Sequence, residues 1–277
     1  MAVTRRTALK TFATAGIGVV TGAAAYGFFY GREALQLTSV DVPVNGLPAE
    51  LSGLRVGLIT DVHRSRWVSA DDVAAAVALT MAARPDLIVL GGDYVTWGDR
   101  RFVGAAAEGL SGLSAPNGVY AILGNHDDDH DMPTALAKQG VQVLRDARTR
   151  LPIGGSAIEL VGIRFWTKRQ SDIAALTKTA KDPVILLAHD PRRLEEAAAL
   201  DVPLVLSGHT HGGQVVLPGV GAVAARKFPV ISGLARQDKT TLFVSRGLGT
   251  VYVPIRLNCP PEVVLLTLRS ENLPRYV

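Results

Sequence analysis

Short apolar runs alternate with helical patterns from residue 54 onward. Five runs are almost continuously hydrophobic, which is typical of β-strands covered on both faces: residues 54–60, 87–90, 119–123, 184–188 and 204–207. Four segments between them have helical periodicity, with Ser69 and Asp99 as predicted N-caps: residues 69–83, 99–113, 133–139 and 191–200. This alternation predicts an α/β sheet.

Three later segments have the pattern of strands with shorter connections: residues 158–164, 241–244 and 263–268. Shorter connections are typical of mixed or antiparallel pairing, and these strands are therefore predicted to form a second sheet. The predicted fold class is α/β, with two packed mixed β-sheets flanked by helices. This is a four-layer αββα sandwich, arranged as a single domain after an N-terminal leader helix.

The composition is that of an ordinary globular protein, with 277 residues, 48% hydrophobic and 19% charged. It excludes disordered, collagen-like and coiled-coil chains. Most of the net charge of +4 belongs to residues 1–33, so the rest of the chain is nearly neutral. Because the sequence has no clustered basic face, no nucleic-acid-binding surface is predicted. Cys259 is the single cysteine and cannot form an internal disulfide.

Residues 11–31 carry no charge, and Arg5, Arg6 and Lys10 precede them. The paired arginines resemble a twin-arginine export signal, with cleavage expected after residues 23–25. Alternatively the segment is retained, because a helix of about 20 residues reaches roughly 30 Å and spans a bilayer. A third interpretation is the first helix of a soluble domain. The predicted division is a signal or membrane anchor at residues 1–33 and one domain at residues 34–277.

Either of the first two interpretations places the domain outside the cytoplasm. The protein is then exported by a twin-arginine-like route, or it is anchored in the inner membrane through its N-terminal segment. The basic residues upstream of the apolar stretch would hold the N-terminus inside the cell.

Polar clusters follow the ends of the predicted strands, and they contain five of the six histidines. Ligands of open α/β sheets gather beyond the carboxyl ends of the strands, where the loops converge. A packed core histidine is the ordinary interpretation of one such residue, but it does not explain five. The residues in these clusters are Asp61, His63, Asp93, Asn125, His126, Asp127, His189, His209 and His211.

Carboxylate, imidazole and amide oxygen together indicate a metal site. The share of imidazole favours Mn, Fe, Zn, Co or Ni over Ca and Mg, which prefer oxygen ligands. Seven candidate ligands exceed what one tetrahedral ion takes and suit two ions that share a carboxylate, with Asp93 as the natural bridge. Two ions roughly 3.5–4 Å apart can hold a hydroxide between them and act on phosphoryl transfer. The candidate ligands are Asp61, His63, Asp93, Asn125, His189, His209 and His211.

The motifs of this chain resemble those of the calcineurin-like metallophosphoesterases over about residues 54–268. They are Asp61-x-His63, Gly92-Asp93, Gly124-Asn125-His126-Asp127, the lone His189 and Gly208-His209-Thr210-His211. The stretch at residues 208–214 and Pro254-Ile255-Arg256 before Pro261-Glu262 resemble a bacterial phosphodiesterase branch. In that branch a leader or membrane anchor commonly precedes the metallophosphoesterase domain.

The resemblance implies a role for each matching residue. Asp61, His63, Asp93 and His211 would hold one metal, and Asp93, Asn125, His189 and His209 would hold the other. His126 would stabilise the transition state or protonate the leaving oxygen, and Asp127 would orient its ring. An N-cap of the next helix is the competing interpretation of Asp127, with Asp131 as a rival for that position. Thr96 stands where many members have a further aspartate.

The predicted function is a dinuclear metal-dependent phosphoesterase that hydrolyses phosphodiester or pyrophosphate bonds by in-line attack of a metal-bridging hydroxide. A lipid-linked substrate is one expectation, and the alternative function is that of a UDP-2,3-diacylglucosamine pyrophosphatase that acts on a lipid A precursor. A soluble nucleotidase or cyclic phosphodiesterase is a third interpretation. A metal-binding scaffold without activity is a fourth, and the intact His126 argues against it.

Other residues have weaker functional interpretations. Five follow the first two ligand turns and would line a substrate groove or simply pack on the loop surface: Arg64, Arg66, Trp67, Tyr94 and Trp97. The acidic run at residues 127–131 would bind a further cation or begin a helix, and the helix is favoured.

Overall fold

A computed structural model describes residues 5–271, so residues 1–4 of the predicted leader and residues 272–277 of the predicted domain lie outside it. Within this part of the chain, fourteen strands are formed: β1 (Gln36–Val44), β2 (Arg55–Ile59), β3 (Leu87–Leu90), β4 (Val119–Ala121), β5 (Gln142–Val143), β6 (Ala147–Ile153), β7 (Ser156–Gly162), β8 (Val184–Leu187), β9 (Leu204–Ser207), β10 (Val216–Leu217), β11 (Gly221–Ala222), β12 (Gly233–Gln237), β13 (Thr240–Val244) and β14 (Glu262–Ser270).

Six α-helices lie in the same residues: α1 (Arg5–Tyr26), α2 (Ala70–Ala82), α3 (Val103–Gly109), α4 (Asp131–Lys138), α5 (Gln170–Thr177) and α6 (Leu194–Ala198). Short 3-10 turns precede α3 and α6, at Arg100–Phe102 and Pro191–Arg193. Ser69 caps α2, since its hydroxyl accepts from the Asp72 amide and the Asp72 carboxylate accepts from the Ser69 amide. Asp99 caps the 3-10 turn before α3, as predicted.

Two six-stranded mixed sheets contain twelve of these strands. The first has the order β1-β14-β2-β3-β4-β5, and the second has the order β12-β13-β9-β8-β7-β6. In the first sheet β2, β3, β4 and β5 are parallel, and β14 runs antiparallel to β2. In the second sheet β7, β8, β9 and β13 are parallel, with an antiparallel strand at each edge. The parallel strands are central in the second sheet, whereas in the first sheet they extend to the edge strand β5.

Alternate residues of the central strands face different layers. Leu58 packs between the two sheets with Leu206 and Phe243, whereas its neighbour Ile59 packs outward against α2 and α3. The outer face of the second sheet packs against α5 and α6 through residues such as Leu186. Because both faces of each sheet are covered, the strands are hydrophobic almost throughout. The layers are helix, sheet, sheet and helix, which confirms the predicted fold class.

The assignment of individual strands to sheets was partly wrong. Residues 263–268 lie in β14 of the first sheet, whereas they were predicted in the second. Residues 184–188 and 204–207 lie in β8 and β9 of the second sheet beside β7 and β13. An apolar run that is buried on both faces has the same pattern in either sheet, so it does not show which neighbours the strand pairs with.

Helix α1 extends away from the sheets, and its side chains are almost entirely exposed. A π-helical turn, Gly27–Gly31, continues it to the domain, where Gly27 and Gly31 are buried. The amide of Arg256 donates to the Gly27 carbonyl at 3.2 Å, and the ring of Phe28 contacts Trp67. The end of the helix is therefore fixed to the domain.

Candidate metal centre

The predicted site residues lie on loops that follow five parallel strands, where the carboxyl ends of both sheets meet. Asp61 and His63 follow β2, and Asp93 follows β3. Asn125 follows β4, His189 follows β8, and His209 and His211 follow β9. The amides of Asp61 and His63 donate to the carbonyls of Gly92 and Asp93, both at 2.9 Å. Neighbouring loops are thus held together by their backbones.

Five of the seven candidate ligands have left-handed backbone conformations. This region is unfavourable for residues with a Cβ atom, by about 1–2 kcal/mol each. Such conformations persist only where the surroundings impose them, and they concentrate at functional sites. The φ values are 53° for Asp61, 47° for His63, 58° for Asp93, 72° for His209 and 52° for His211.

The ligand atoms form two groups. Asp61, His63 and His211 make up the first, and Asp93, His189 and His209 make up the second. Within each group the offered oxygen and nitrogen atoms all lie within 4.8 Å of one another. All of these residues are buried except His209, which is half-buried. Buried groups of this kind are paired with charges or bind metals.

The Asp93 carboxylate lies between the two groups. Its Oδ2 atom is 3.5 Å from Nε2 of His63 in the first group and 3.1 Å from Nε2 of His189 in the second. Oδ1 of Asp61 is 3.3 Å from Nε2 of His211 and 3.9 Å from Nε2 of His189. The geometry suits Asp93 as a ligand that two ions share.

Hydrogen bonds from outside the groups orient two of the imidazole rings. Nδ1 of His189 donates to the Gly91 carbonyl at 2.7 Å. Because a carbonyl only accepts, Nδ1 carries the hydrogen and Nε2 is left to face the carboxylates. Nδ1 of His63 lies 3.0 Å from the Thr96 hydroxyl, and its Nε2 lies 3.1 Å from Nε2 of His211. Thr96 therefore supports a candidate ligand.

Three buried atoms of the candidate ligands have no hydrogen-bond partner among the described residues. They are Oδ1 of Asn125, Nε2 of His189 and Nδ1 of His211. A buried polar atom without a partner costs about 1–3 kcal/mol, and a cation satisfies an amide oxygen such as that of Asn125. Together with the buried carboxylates and imidazoles, this atom completes a donor set that fits divalent transition-metal ions.

His126 lies beside this donor set, and its ring is held by Trp97. The amide of Trp97 donates to Nδ1 of His126 at 3.0 Å, and the indole ring lies 4.3 Å from the imidazole centre. Since Nδ1 accepts this bond, the hydrogen of the neutral ring is on Nε2. The amide of His126 donates to Oδ1 of Asp93 at 2.9 Å, which fixes the His126 backbone beside that carboxylate.

Asp127 has a different role from either interpretation of the sequence. Its carboxylate accepts from the amides of Asp93 and Tyr94, both at 2.7 Å, and from that of Gly124 at 2.9 Å. The carboxylate is therefore satisfied by loop backbone, and the Trp97 amide holds the His126 ring instead. Asp127 does not cap α4 either, because Asp128 accepts from the amides of His130 and Asp131 at the start of that helix.

Burial and the attraction between neighbouring charges strongly shift the pKa values of these groups. Burial opposes a charge on His189, yet the adjacent Asp93 carboxylate raises the pKa of His189 to about 10. The His189 charge in turn holds the pKa of Asp93 well below its usual range, against the effect of burial. Burial lowers the pKa of His63 to about 4 and, with the His189 charge, that of His209 to about 3. Neutral imidazoles keep a lone pair for a metal.

The pKa values of two further carboxyl groups and one further imidazole shift in the directions that burial dictates. Burial raises the pKa of Asp61 to about 6. Burial and the charge of Asp93 raise the pKa of Asp127 to about 7. Burial also lowers the pKa of His126. The ring of His126 is therefore neutral near pH 7 and donates from Nε2.

A cleft of about 470 Å³ opens onto the centre. Asp93, Asn125, His126, His209 and His211 form its floor. Its wall is largely apolar and comes from residues outside the ligand-bearing motifs: Val215, Val223, Ala224, Ala225, Phe228, Val251, Tyr252 and Val253. A second cleft of about 580 Å³, lined by Arg66, Trp67, Trp97 and Arg101, shares residues 251–253 with the first.

Of the five residues with weaker functional interpretations, three line a cleft and two have structural roles. Trp67, Trp97 and Arg66 line the second cleft. Tyr94 is buried, and its hydroxyl donates to the carbonyls of Leu90 and Ile122, so it belongs to the core. Arg64 donates to the carbonyls of Ser65 and Val68 and holds its own loop. The groove interpretation fits three of the five.

The acidic run forms the beginning of α4. Asp128, His130 and Asp131 lie close together, but their hydrogen bonds are explained by the helix start and by an ion pair of Asp131 with Arg100. The favoured interpretation of this run, a polar helix start, agrees with these contacts.

Several residues around the centre were not found from the sequence. Phe165 packs its ring 5.3 Å from that of His209, and Tyr252 packs 5.5 Å from Trp97. Arg256 is completely buried behind His211. Of these residues, only Arg256 lies in a motif that resembles the family, and the resemblance implied no role for it. The others are ordinary apolar residues whose positions depend on the tertiary fold.

Comparison with known proteins adds a second line of evidence. The family model described as calcineurin-like phosphoesterase matches residues 54–213, which contain all seven candidate ligands. The metallophosphoesterase YkuE of Bacillus subtilis (strain 168) is 29% identical over 282 residues, which cover 97% of this chain and 98% of YkuE. The phosphodiesterase YaeI of Escherichia coli (strain K12) is 34% identical over 226 residues, 77% of this chain and 82% of YaeI.

A eukaryotic relative is also similar over nearly the whole chain. The transmembrane protein with metallophosphoesterase domain of Danio rerio is 28% identical over 285 residues, 96% of this chain and 63% of that protein. The family match spans more than half of the chain, and it coincides with the loops that form the donor groups. The chain belongs to the calcineurin-like phosphoesterase family and is a metal-dependent phosphoric ester hydrolase.

Proposed function

We propose that the protein is a dinuclear phosphodiesterase that hydrolyses phosphodiester or pyrophosphate bonds. The position of Asp93 carries this proposal, because its carboxylate lies within 3.5 Å of a histidine from each donor group. Asp61, His63, Asp93 and His211 would hold one divalent ion. Asp93, Asn125, His189 and His209 would hold the other. When bound, such ions supply Lewis acidity and an activated water for phosphoryl displacement.

The protein residues of the proposed mechanism have separate tasks. His126 lines the cleft beside the donor groups and, as the neutral ring, donates a hydrogen bond from Nε2 to the leaving oxygen as its charge develops. The Trp97 amide keeps that ring in the Nε2–H form. Asp127 keeps the loops of Asp93 and His126 in register, because its side-chain carboxylate accepts from the backbone amides of Asp93 and Gly124.

Metal analysis and substrate comparison test this proposal. The full-length protein, purified in detergent, is treated with EDTA and reloaded with Mn²⁺, Zn²⁺ or Co²⁺. We expect two equivalents of metal per chain and faster hydrolysis of bis-p-nitrophenyl phosphate than of p-nitrophenyl phosphate. One equivalent in fully active protein, or full activity after chelation, would contradict the dinuclear proposal.

The length and composition of the N-terminal segment favour its interpretation as an export signal or membrane anchor. Among the described residues, one helix, Arg5–Gly31, is long and apolar enough to cross a membrane by length and composition. Tyr26, Phe29 and Tyr30 are exposed at its domain end, where aromatic side chains suit the membrane interface. We propose that this helix passes from the cytoplasm to the domain outside it, as an inner-membrane anchor or a twin-arginine-like signal. Carbonate extraction of membranes distinguishes a retained anchor from a released domain.

A lipid-linked substrate such as UDP-2,3-diacylglucosamine is the second candidate. The apolar wall of the cleft favours it, because Val223 and Val253 are about half-exposed at the cleft and suit an acyl chain better than water. The turn that follows α1 contacts the loop that carries Val253. The Gly27 carbonyl accepts from the amide of Arg256, which is three residues after Val253. A membrane-bound substrate would thus be within reach of the site.

A matched pair of variants tests this candidate. Val223→Asp places a charge on the wall of the cleft, whereas Val220→Asp changes a similarly exposed valine that does not line it. We expect V223D alone to slow hydrolysis of UDP-2,3-diacylglucosamine, with little change for UDP-N-acetylglucosamine, which has no acyl chains. Equal turnover of both substrates by the wild type would rule out recognition of the lipid.

A further inference from the structure

Arg256 is a completely buried arginine, and its guanidinium is bonded to backbone. Nη2 donates to the carbonyls of Gly249, Arg246 and Gly247 at 2.6, 2.8 and 3.0 Å. Nε donates to Gly249 at 3.1 Å, and Nη1 donates to the Cys259 and His211 carbonyls at 3.2 and 3.5 Å. The planar fork of an arginine can serve several carbonyls at once, which a lysine cannot do.

These carbonyls belong to segments that hold the first donor group. His211 is itself a member of that group. The loop at residues 246–249 lies against another member, because the Gly249 amide donates to the Asp61 carbonyl at 2.7 Å and the Leu248 amide donates to that of Thr60 at 3.0 Å. Arg256 therefore joins the backbones of Asp61 and His211 through one side chain.

The charge of Arg256 is not balanced by a contacting carboxylate. Among the ion pairs of residues 5–271, the nearby Glu262 pairs with Arg246 at 2.6 Å, and none involves Arg256. Burying a charge is costly unless it is well bonded. An apolar residue would fill the same core space with less desolvation, so packing alone does not explain an arginine here.

We propose that Arg256 is a positioning residue for the Asp61–His63–His211 half of the metal centre. The inference rests on the proposed dinuclear function. By holding the His211 carbonyl and the loop under Asp61 at fixed separation, Arg256 keeps these two ligands at the spacing that one ion needs. The second group is held differently, through the bond of His189 to Gly91 and the clamp of Asp127 on the Asp93 loop.

The turn that follows α1 also contacts Arg256, through Gly27 and Gly31. The Arg256 amide donates to Gly27, and a Cβ atom on Gly31 would overlap the Arg256 carbonyl oxygen. Gly31 is therefore a position from which Arg256 can be displaced without changing the sheets or the donor residues.

Metal titration of the full-length protein in detergent tests the inference. Arg256→Lys keeps the charge but loses most of the carbonyl bonds. Arg193→Lys is the matched control, because Arg193 is also nearly buried and lies in the turn before α6. Mn²⁺ affinity is measured for each ion by calorimetry, and EPR reports whether the two ions are spin-coupled. Loss of outer contacts of this kind typically weakens metal binding about 10–100-fold.

We expect R256K to bind one Mn²⁺ with wild-type affinity and the other at least about tenfold more weakly, with loss of the coupled EPR signal at low metal. R193K should bind both ions as the wild type does. Unchanged affinity for both ions in R256K, or equal weakening of both, would overturn the inference. If R256K does not fold, Gly31→Ala decides by the same measurements, with selective weakening of one ion expected.

The number of ions that the wild type binds distinguishes a failure of this inference from a failure of the proposed function. Two coupled ions in the wild type support the dinuclear function whatever R256K does. A single ion in the wild type contradicts that function. The inference is then also overturned if R256K binds the single ion as tightly as the wild type, and it is supported if binding is weakened selectively relative to R193K.

Discussion

His126 is distinguished from the candidate ligands by the hydrogen bond that its Nδ1 atom accepts from the Trp97 amide. A ring in this state points its hydrogen-bearing Nε2 away from that amide. It therefore suits a donor to substrate, whereas His189 offers Nε2 to the carboxylates because its Nδ1 donates to Gly91. Two histidines that look alike in the sequence thus have opposite hydrogen-bonding roles at Nδ1.

We expect His126→Ala to retain metal and to lose turnover by roughly 10²–10⁴-fold, which is the usual range for a general acid or base. Asp93→Ala should lose both turnover and metal, because its carboxylate lies in contact with both groups. The measurements are bis-p-nitrophenyl phosphate hydrolysis and metal content after gel filtration. Wild-type turnover in either variant would refute the assigned role.

The raised pKa of His189, about 10 in the folded chain against 6.5 for an ordinary histidine, gives a pH dependence with a definite sign. In EDTA-treated protein, the folded chain holds a proton that the unfolded chain releases above pH 6.5. The free energy of unfolding should therefore fall as the pH rises from 6.5 towards 10. Urea unfolding at several pH values measures this slope.

The variant His189→Asn should flatten the slope, whereas His130→Asn should not, because the His130 side chain is 91% exposed. A slope in H189N equal to that of the wild type would show that another group is responsible.

At the scale of elements, the site depends on short loops that are tied to one another rather than to helices. The loop after β4 approaches the loop after β3 so closely that a Cβ atom on Gly124 would overlap the Asp93 carboxylate. Asp127 then closes the junction by accepting from four backbone amides, the longest of these bonds being that from Val95 at 3.4 Å. The glycine and the aspartate of one motif therefore serve the same loop contact.

We expect Asp127→Ala to lower the free energy of unfolding by roughly 3 kcal/mol or more, because four amides that donated to a carboxylate lose their acceptor. The control Asp128→Ala removes a partly exposed acceptor at the start of α4 and should cost about 1 kcal/mol. Urea denaturation of both variants provides the comparison. Equal losses would mean that Asp127 does not clamp the two loops.

At the scale of the whole molecule, α1 and the domain are nearly separate except at Gly27–Arg32. The side chains of α1 whose burial is described are mostly exposed, and contacts with the domain are made after α1 by residues such as Gly27, Phe28, Gly31 and Arg32. Stability of the domain should therefore depend on the turn after α1 and not on α1 itself.

Two truncations test this division. A chain that begins at Gly27 should unfold in urea with the same free energy as the full chain, within about 0.5 kcal/mol. A chain that begins at Ala34 should be less stable by roughly 2 kcal/mol, because it loses the hydrogen bonds to Arg256 and Trp67 and the burial of Phe28. A large loss from the first truncation would contradict an independent helix.

The sequence by itself determined the layered α/β fold and the loops that bear the donor residues. Strands buried on both faces are continuously hydrophobic, and polar residues at their ends have few other reasons to recur, so these features are visible in the order of residues. The motif residues could therefore be identified from the sequence alone. The same local pattern gave no information on sheet membership, which depends on the partner that each strand meets.

Only the tertiary structure decided the contacts between segments distant in the chain. The Trp97 amide on the His126 ring, the Asp127 clamp and the carbonyl cradle of Arg256 all join residues through backbone atoms. Every residue type carries the same backbone carbonyl, and every type except proline carries the same amide N–H, so the pattern of side chains does not reveal such bonds. The chain order therefore specifies which residues are available for chemistry, and the packing of the two sheets specifies how each one is held.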